Sequence, residues 1–364
     1  MLNPLADDLD YVLERTGELW EDLRRSRLFV TGGTGFFGCW LLETLLWANR
    51  RLGLRASATV LTRDAEAFRA KAPHLAEDQA VELHQGDVRS FPFPKGSFSH
   101  VIHGAADTSV ERHSRQPLAV LDTLVEGTWR TLNFAVHCGA PQFLLLSSGA
   151  VYGRQAADHV DENCDTAPDP ANARAAYGEG KRMAEQLCAC YRRTYGLETK
   201  IARCFAFVGP YLPLDAHFAI GNLIRDGLNG DTLVIQGDGT AVRSYLYAAD
   251  LMVWLWTILL RGEAGRAYNV GSENGLTIRD LALAVAAQIK PRPPIRIEGK
   301  AQPGRAPDYY VPSTCRARNE LGLDAGVALD ESIRRTRKWA GLPASARPCP
   351  AGEPEPVALP RADP

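Results

Sequence analysis

Apolar residues recur along this chain with a near-helical period in some stretches and in short unbroken runs in others. Leu5, Leu9, Val12, Leu13, Leu19, Trp20 and Leu23 follow the helical period, which predicts an amphipathic helix over 5–25. It precedes the first strand, so it is expected as an extension packed on the core. Leu28-Phe29-Val30 reads as a short buried strand, and the glycine-rich run Thr31 to Gly38 follows at once. A helix is expected over 37–51. Further strands are expected at 58–61, 81–84, 100–103, 142–146 and 199–202, and long helices at 118–138 and 176–195. Strands alternating with helices of about ten residues or more predict an α/β fold, a Rossmann-type doubly wound parallel sheet.

After about residue 205 the rhythm loosens, and Pro210 and Pro213 interrupt it. Helices are expected at 215–229, 249–260 and 278–289, with strands at 232–235 and 267–270. These predict a smaller C-terminal α/β domain that builds a pocket. From 343 onward Pro, Ala and Gly dominate and large apolar residues are few, which predicts a disordered tail.

The run TGGTGFFG places Gly32, Gly35 and Gly38 at the spacing GxxGxxG. A tight strand-to-helix turn needs a residue without Cβ, a closely approaching pyrophosphate needs another, and a third lets the helix lie against the strand. The helix N-terminus then offers free N–H groups to phosphates. Following a strand and opening a helix, the run reads as a dinucleotide site formed by Gly32, Thr34, Gly35, Phe36, Phe37 and Gly38. The expected division is therefore 1–26 as a helical extension, 27–204 as the dinucleotide-binding domain, 205–342 as mainly the substrate domain, and 343–364 as the tail.

The end of the second strand selects the cofactor. A carboxylate there favours NAD, and an arginine can pair with the 2′-phosphate of NADP. Thr62-Arg63-Asp64 carries both types, with Arg63 at the strand end, so the choice between NAD and NADP tilts slightly to NADP. Asp87 and Val88 after the third strand, and Ala105 after the fourth, complete the expected cofactor contacts.

Tyr177-Gly178-Glu179-Gly180-Lys181 is YxxxK, an i, i+4 pair on one helical face. An ammonium beside a phenol favours the phenolate, so Lys181 is expected to pull Tyr177 below its ordinary value of about 10. That makes an acid/base group usable near neutral pH. Ser147 and Ser148 close the fifth strand, and such strand ends face the ligand crevice.

The 364 residues carry a net charge of −2, against the basic excess of a general nucleic-acid binder. The longest apolar run, Leu251 to Leu260, is too short to span a bilayer, which takes about 20 residues. The acidic N-terminus has no signal-peptide pattern, so a cytoplasmic location is expected. Eight scattered cysteines lack zinc spacing and read as free thiols in a reducing compartment, with no metal site. No histidine has a spacing that demands a catalytic role, and His217, within the substrate region, reads as a polar surface residue.

The combination resembles the extended short-chain dehydrogenase/reductase family, in its nucleotide-sugar epimerase/dehydratase branch. The resemblance runs from about Arg27 to Trp339. It rests on TGGTGFFG, GDV at 86–88, HGAADTSV at 103–110, SSGAVYG at 147–153, YGEGK at 177–181, VGP at 208–210 and GDGTAVRSYLYAADL at 237–251. The resemblance implies Tyr177 as catalytic base and Lys181 as the group that holds the nicotinamide ribose. It implies Ser148 as the hydrogen-bond partner of the reacting sugar hydroxyl or carbonyl, and Arg243 as the grip on a nucleotide diphosphate. It also implies a homodimer through a pair of helices.

Departures from the family pattern narrow the reaction. Dehydratases of this branch carry an acidic pair where this chain has Gly149 and Ala150, and sugar-nucleotide decarboxylases carry a glutamate at the Ala150 position. Neither residue here can move a proton. SSGAVYG is nearest to the UDP-galactose 4-epimerase type. Leu124 and Ala206 each stand where the family usually has asparagine. The resemblance thus implies a nucleotide-sugar epimerase, with C4 the expected centre, passing through a transient 4-keto sugar. The alternative is an NADPH-dependent nucleotide-4-keto-sugar reductase, with a 4,6-dehydratase behind both. A cofactor-sensing binding protein is the reading from another class, and the presence of Ser148, Tyr177 and Lys181 together speaks against it.

Overall fold

The computed structural model describes residues 3–106, 115–155, 158–216, 218–300, 304 and 306–342. The expected tail, His217 and the end of the HGAADTSV motif lie outside the described residues.

Six strands precede residue 205: β1 (Arg27–Thr31), β2 (Ser57–Thr62), β3 (Val81–Gln85), β4 (His100–His103), β5 (Gln142–Ser148) and β6 (Glu198–Cys204). With Ala267–Val270 they form one seven-stranded parallel sheet, in the order Ala267–Val270, β6, β5, β4, β1, β2, β3. The strand order reverses between β1 and β4, and crevices for ligands open at such reversals. β1, β2 and β5 are buried almost throughout. Helices cover both faces of a parallel sheet, which is why these strands read as apolar runs rather than alternations. The Ala267–Val270 strand and the almost wholly buried Ala248–Arg261 helix both come from beyond residue 204, yet they belong to this layer.

The helix expected over 5–25 forms in two pieces, α1 (Ala6–Thr16) and a 3-10 segment (Gly17–Leu23). Gly17 adopts φ +40°, which ends regular α-helix there. The pair packs on the core. Trp20 lies 5.1 Å from Trp256 between ring centroids, Tyr11 donates to Asp250 at 2.6 Å, and Tyr247 donates to Asp8 at 2.7 Å.

The glycine run leads into α2 (Phe36–Leu52), and the other expected helices form at Pro117–His137, Ala176–Tyr195, Ala219–Asn229 and Ile278–Ala287. Short helices at Ala65–Lys71, Pro73–Ala76 and Cys315–Leu321, and the longer Leu329–Ala340, were not expected. Leu329–Ala340 is highly charged, with few apolar residues to mark its period. A smaller unit combines the strands Leu276–Thr277, Val242–Arg243 and Tyr309–Tyr310 with helices packed around Leu223, Ile224, Leu281 and Val285. Among the described residues no helix is long and apolar enough to cross a membrane.

Candidate active site

A cavity of about 910 Å³ lies where the strand ends of the large sheet meet the smaller unit. Its wall includes the glycine loop, Arg63, Asp87, Val88, Ala105, Ser148, Tyr177, Lys181 and Arg243. Chain segments far apart in sequence thus bring all the expected site residues to one space.

The loop is shaped for close approach. Gly32 adopts φ +72°, and a Cβ there would lie 2.6 Å from the Gly104 backbone. A Cβ on Gly38 would lie 2.2 Å from Gly33, so the first turn of α2 sits directly on the loop. The N–H groups that open α2 are left for an anion. This cradle fits a dinucleotide pyrophosphate.

At the end of β2 the two candidate residues diverge. The Asp64 carboxylate accepts from the Ala67 N–H at 2.9 Å and caps the Ala65–Lys71 helix. Arg63 is exposed and lines the cavity. Asp87 is held by Arg89 through two bonds of 2.8 and 3.1 Å. Arg89 keeps the Asp87 carboxyl below its ordinary range, with a smaller contribution from Arg63. Arg89 also lines the cavity and was missed from the sequence.

Ser148 is only 6% exposed, and its Oγ accepts from the Ala150 N–H at 3.1 Å. It hydrogen-bonds Tyr177, and it lies 3.3 Å from the Tyr310 hydroxyl. Lys181 is buried and donates to the Leu146 carbonyl at 2.6 Å. Behind it Ser147 donates to Glu185 at 2.5 Å, and Glu185 pairs with Arg203 at 2.7 Å. This network ties the Tyr177 helix to β5 and β6.

The expected depression of Tyr177 does not occur. Burial pushes its phenol up to about 12, only partly opposed by the Ser148 hydrogen bond. The Lys181 Nζ lies 5.9 Å from the Tyr177 ring centroid and is directed to the Leu146 carbonyl. Burial brings Lys181 itself down to about 8. The i, i+4 spacing gave the shared face, but desolvation outweighs the charge.

Arg243 pairs with Asp308 at 2.6 Å and lies 5.9 Å over the Tyr310 ring. Tyr310 and Cys204 also line the cavity and were not foreseen. Tyr310 sits in a two-residue strand that carries no periodic signal.

The departures have structural correlates. A Cβ on Gly149 would lie 2.8 Å from the Phe205 ring, so that ring occupies the space a side chain would need. Leu124 is buried against Gly180 of the Tyr177 helix and is absent from the cavity wall, whereas Ala206 lines it.

Fold and cavity together define a Rossmann-type nucleotide-binding enzyme. The chain belongs to the NAD dependent epimerase/dehydratase family, whose sequence model matches residues 28–271. UDP-glucuronic acid decarboxylase 6 of Arabidopsis thaliana is 30% identical over 307 residues, covering 84% of this chain and 86% of that protein. The dTDP-glucose 4,6-dehydratase of Streptomyces venezuelae, solved with NAD and TYD bound, aligns with a TM-score of 0.72 at 26% identity, over 86% of this chain and 96% of that one. The UDP-glucose 4-epimerase of Thermotoga maritima, solved with UDP-glucose, aligns with a TM-score of 0.70 at 20% identity, over 86% and 98%.

Proposed function

We propose that this protein is a nucleotide-sugar epimerase acting at C4 through a transient 4-keto sugar, with a nicotinamide dinucleotide bound in the glycine-loop cavity. One observation carries the reading. Ser148, Tyr177 and Lys181 line the cavity together, while the adjoining turn carries Gly149, packed against Phe205, and Ala150. Dehydration and decarboxylation in this family call on acidic side chains at that turn. The likeness to decarboxylases therefore supports the scaffold and the nucleotide-sugar class rather than that reaction.

In this reading the cofactor takes a hydride from the sugar and returns it. Tyr177 takes up and returns the proton of the C4 hydroxyl. Ser148 lies beside the same oxygen and hydrogen-bonds Tyr177, Lys181 holds the cofactor ribose, and Arg243 grips the diphosphate. Arg63 faces the cavity while Asp64 is engaged as a helix cap, which favours NADP over NAD. The same feature favours the second reading, an NADPH-dependent nucleotide-4-keto-sugar reductase. A homodimer is proposed through the two long helices, which expose Leu118, Trp129 and Val136 on one and Met183 and Tyr195 on the other. A cytoplasmic location fits the free cysteines found among the described residues.

The test uses the protein as purified. Denaturation followed by mass spectrometry identifies any released nucleotide. Native protein is then incubated with UDP- and dTDP-sugars without added cofactor. Released NAD or NADP with an isomeric product of unchanged mass is the expected outcome. Turnover only of keto sugars, with NADPH consumed one for one, would replace the epimerase by the reductase.

A further inference from the structure

We propose that Tyr310 is a positioning residue of this site: its phenol donates to Ser148 and so turns the Ser148 proton toward Tyr177. The inference rests on Tyr177 being the proton-transfer group of the reaction proposed above.

Three hydroxyls from three parts of the fold form a row. Tyr310 ends the strand Tyr309–Tyr310, which pairs with Val242–Arg243 in the smaller unit. Its ring packs on Phe205 with 4.8 Å between centroids, and its hydroxyl lies 3.3 Å from Ser148 Oγ. Ser148, at the end of β5, also hydrogen-bonds Tyr177.

The direction of the row follows from counting. A serine hydroxyl has one proton and two lone pairs. The Ala150 N–H at 3.1 Å takes one lone pair. One proton and one lone pair remain for two phenols, so Ser148 donates to one and accepts from the other. Once Tyr177 has given its proton to a substrate oxygen, it can only accept. Ser148 must then donate to Tyr177 and accept from Tyr310. No covalent bond changes within the row, and Tyr310 keeps its own proton. The charge on Tyr177 is met by a polarised chain of two hydrogen bonds, and bonds to an ionised oxygen are roughly twice as strong as neutral ones.

The other ionisable neighbours do not supply this proton. Lys181 is directed to the Leu146 carbonyl, and Arg243 lies over the Tyr310 ring and pairs with Asp308. Cys204, beside both phenols on β6, is pushed up to about 12 by burial and stays a neutral thiol. Burial likewise raises both phenols, so in the chain alone both are protonated at neutral pH, and Tyr177 is the one that gives its proton up in the reaction.

The holoenzyme is compared with Tyr310→Phe, Ser148→Ala and the double variant. Phenylalanine keeps the ring on Phe205 and removes only the hydroxyl. Tyr310→Phe is expected to lower kcat about tenfold, or about 1.4 kcal/mol, with KM within about twofold. In the Ser148→Ala background the same substitution is expected to add nothing. A loss carried by KM, or an equal loss with and without Ser148, overturns the proposal. Neutron diffraction of the wild type reads the row without any reaction: a proton on the Tyr310 oxygen facing Ser148 is expected, and one on Ser148 facing Tyr310 overturns it. Absence of turnover on nucleotide sugars would sink the proposed reaction, and the neutron map would still decide the row.

Discussion

Burial sets the protonation states around Tyr177. In the chain alone the phenol, at about 12, is neutral near pH 7, so the positive charge of a bound oxidised nicotinamide would be needed to make it the base that takes up the C4 proton, while Lys181 gives up its proton near pH 8. The lysine moves down because desolvation penalises the ammonium; the Glu185 carboxylate pulls it partly back. Under the proposed function the charged form faces the cofactor ribose, so activity should need it. We expect kcat/KM to fall about tenfold per pH unit above pH ~8. Lys181→Arg should move that fall beyond the measurable range, because a guanidinium keeps its proton. An identical profile in the variant would assign the titration to another group. Tyr177→Phe should lose about 10² to 10⁴ in kcat at every pH while releasing as much nucleotide as the wild type on denaturation.

At the scale of elements, α1 and its 3-10 continuation act as a brace rather than a cover, since none of their residues lines the cavity. Trp20 is 1% exposed, packs on Trp256 and donates to Thr16 Oγ1 at 2.7 Å. Trp20→Ala should destabilise the fold by about 3–5 kcal/mol, read by urea unfolding, with KM unchanged. A shifted KM would mean that the brace reaches the site. The apolar face of this segment was legible because burial imposes a period; its break at Gly17 was not, because one glycine within a helical pattern is usually tolerated. The sheet was legible for the same reason as the brace, each buried strand being a run of apolar residues. Tyr177 and Lys181 were legible from spacing. What escaped was decided across the fold. Tyr310 reaches Ser148 from a strand two residues long, and Arg63 and Asp64 are told apart by a helix cap that follows them. The sign of the Tyr177 shift escaped because spacing shows a neighbouring charge but not desolvation.

For the molecule as a whole, the centre of the sheet carries a built-in sensitivity to acid. His100 and His103 lie in β4 beside β1, and burial brings them down to about 4 and about 3. His103 is locked by its partners. Thr31 Oγ1 accepts from the N–H groups of Gly104 and Ala105 at 3.2 and 3.1 Å, so its own proton goes to His103 Nδ1 at 2.7 Å. The ring proton is therefore on Nε2, donated to Thr128 at 3.0 Å. A second proton on Nδ1 would break the bond to Thr31 and release the Gly104–Ala105 corner of the cavity. An unfolded imidazole takes up a proton near pH 6.5. Below that pH the unfolded chain binds protons that the native ring refuses, so this contribution to stability is lost as pH falls toward the native value. The loss is about 1.4 kcal/mol per pH unit per ring, or about 2 kcal/mol for His103 by pH 5. His103→Asn removes that titration while keeping a polar group at the site. Urea unfolding at pH 7.5 and pH 5 should show the variant losing about 2 kcal/mol less than the wild type between the two. Equal losses would mean that the native ring takes up the proton, and that the corner beneath the cofactor cavity yields to it without unfolding.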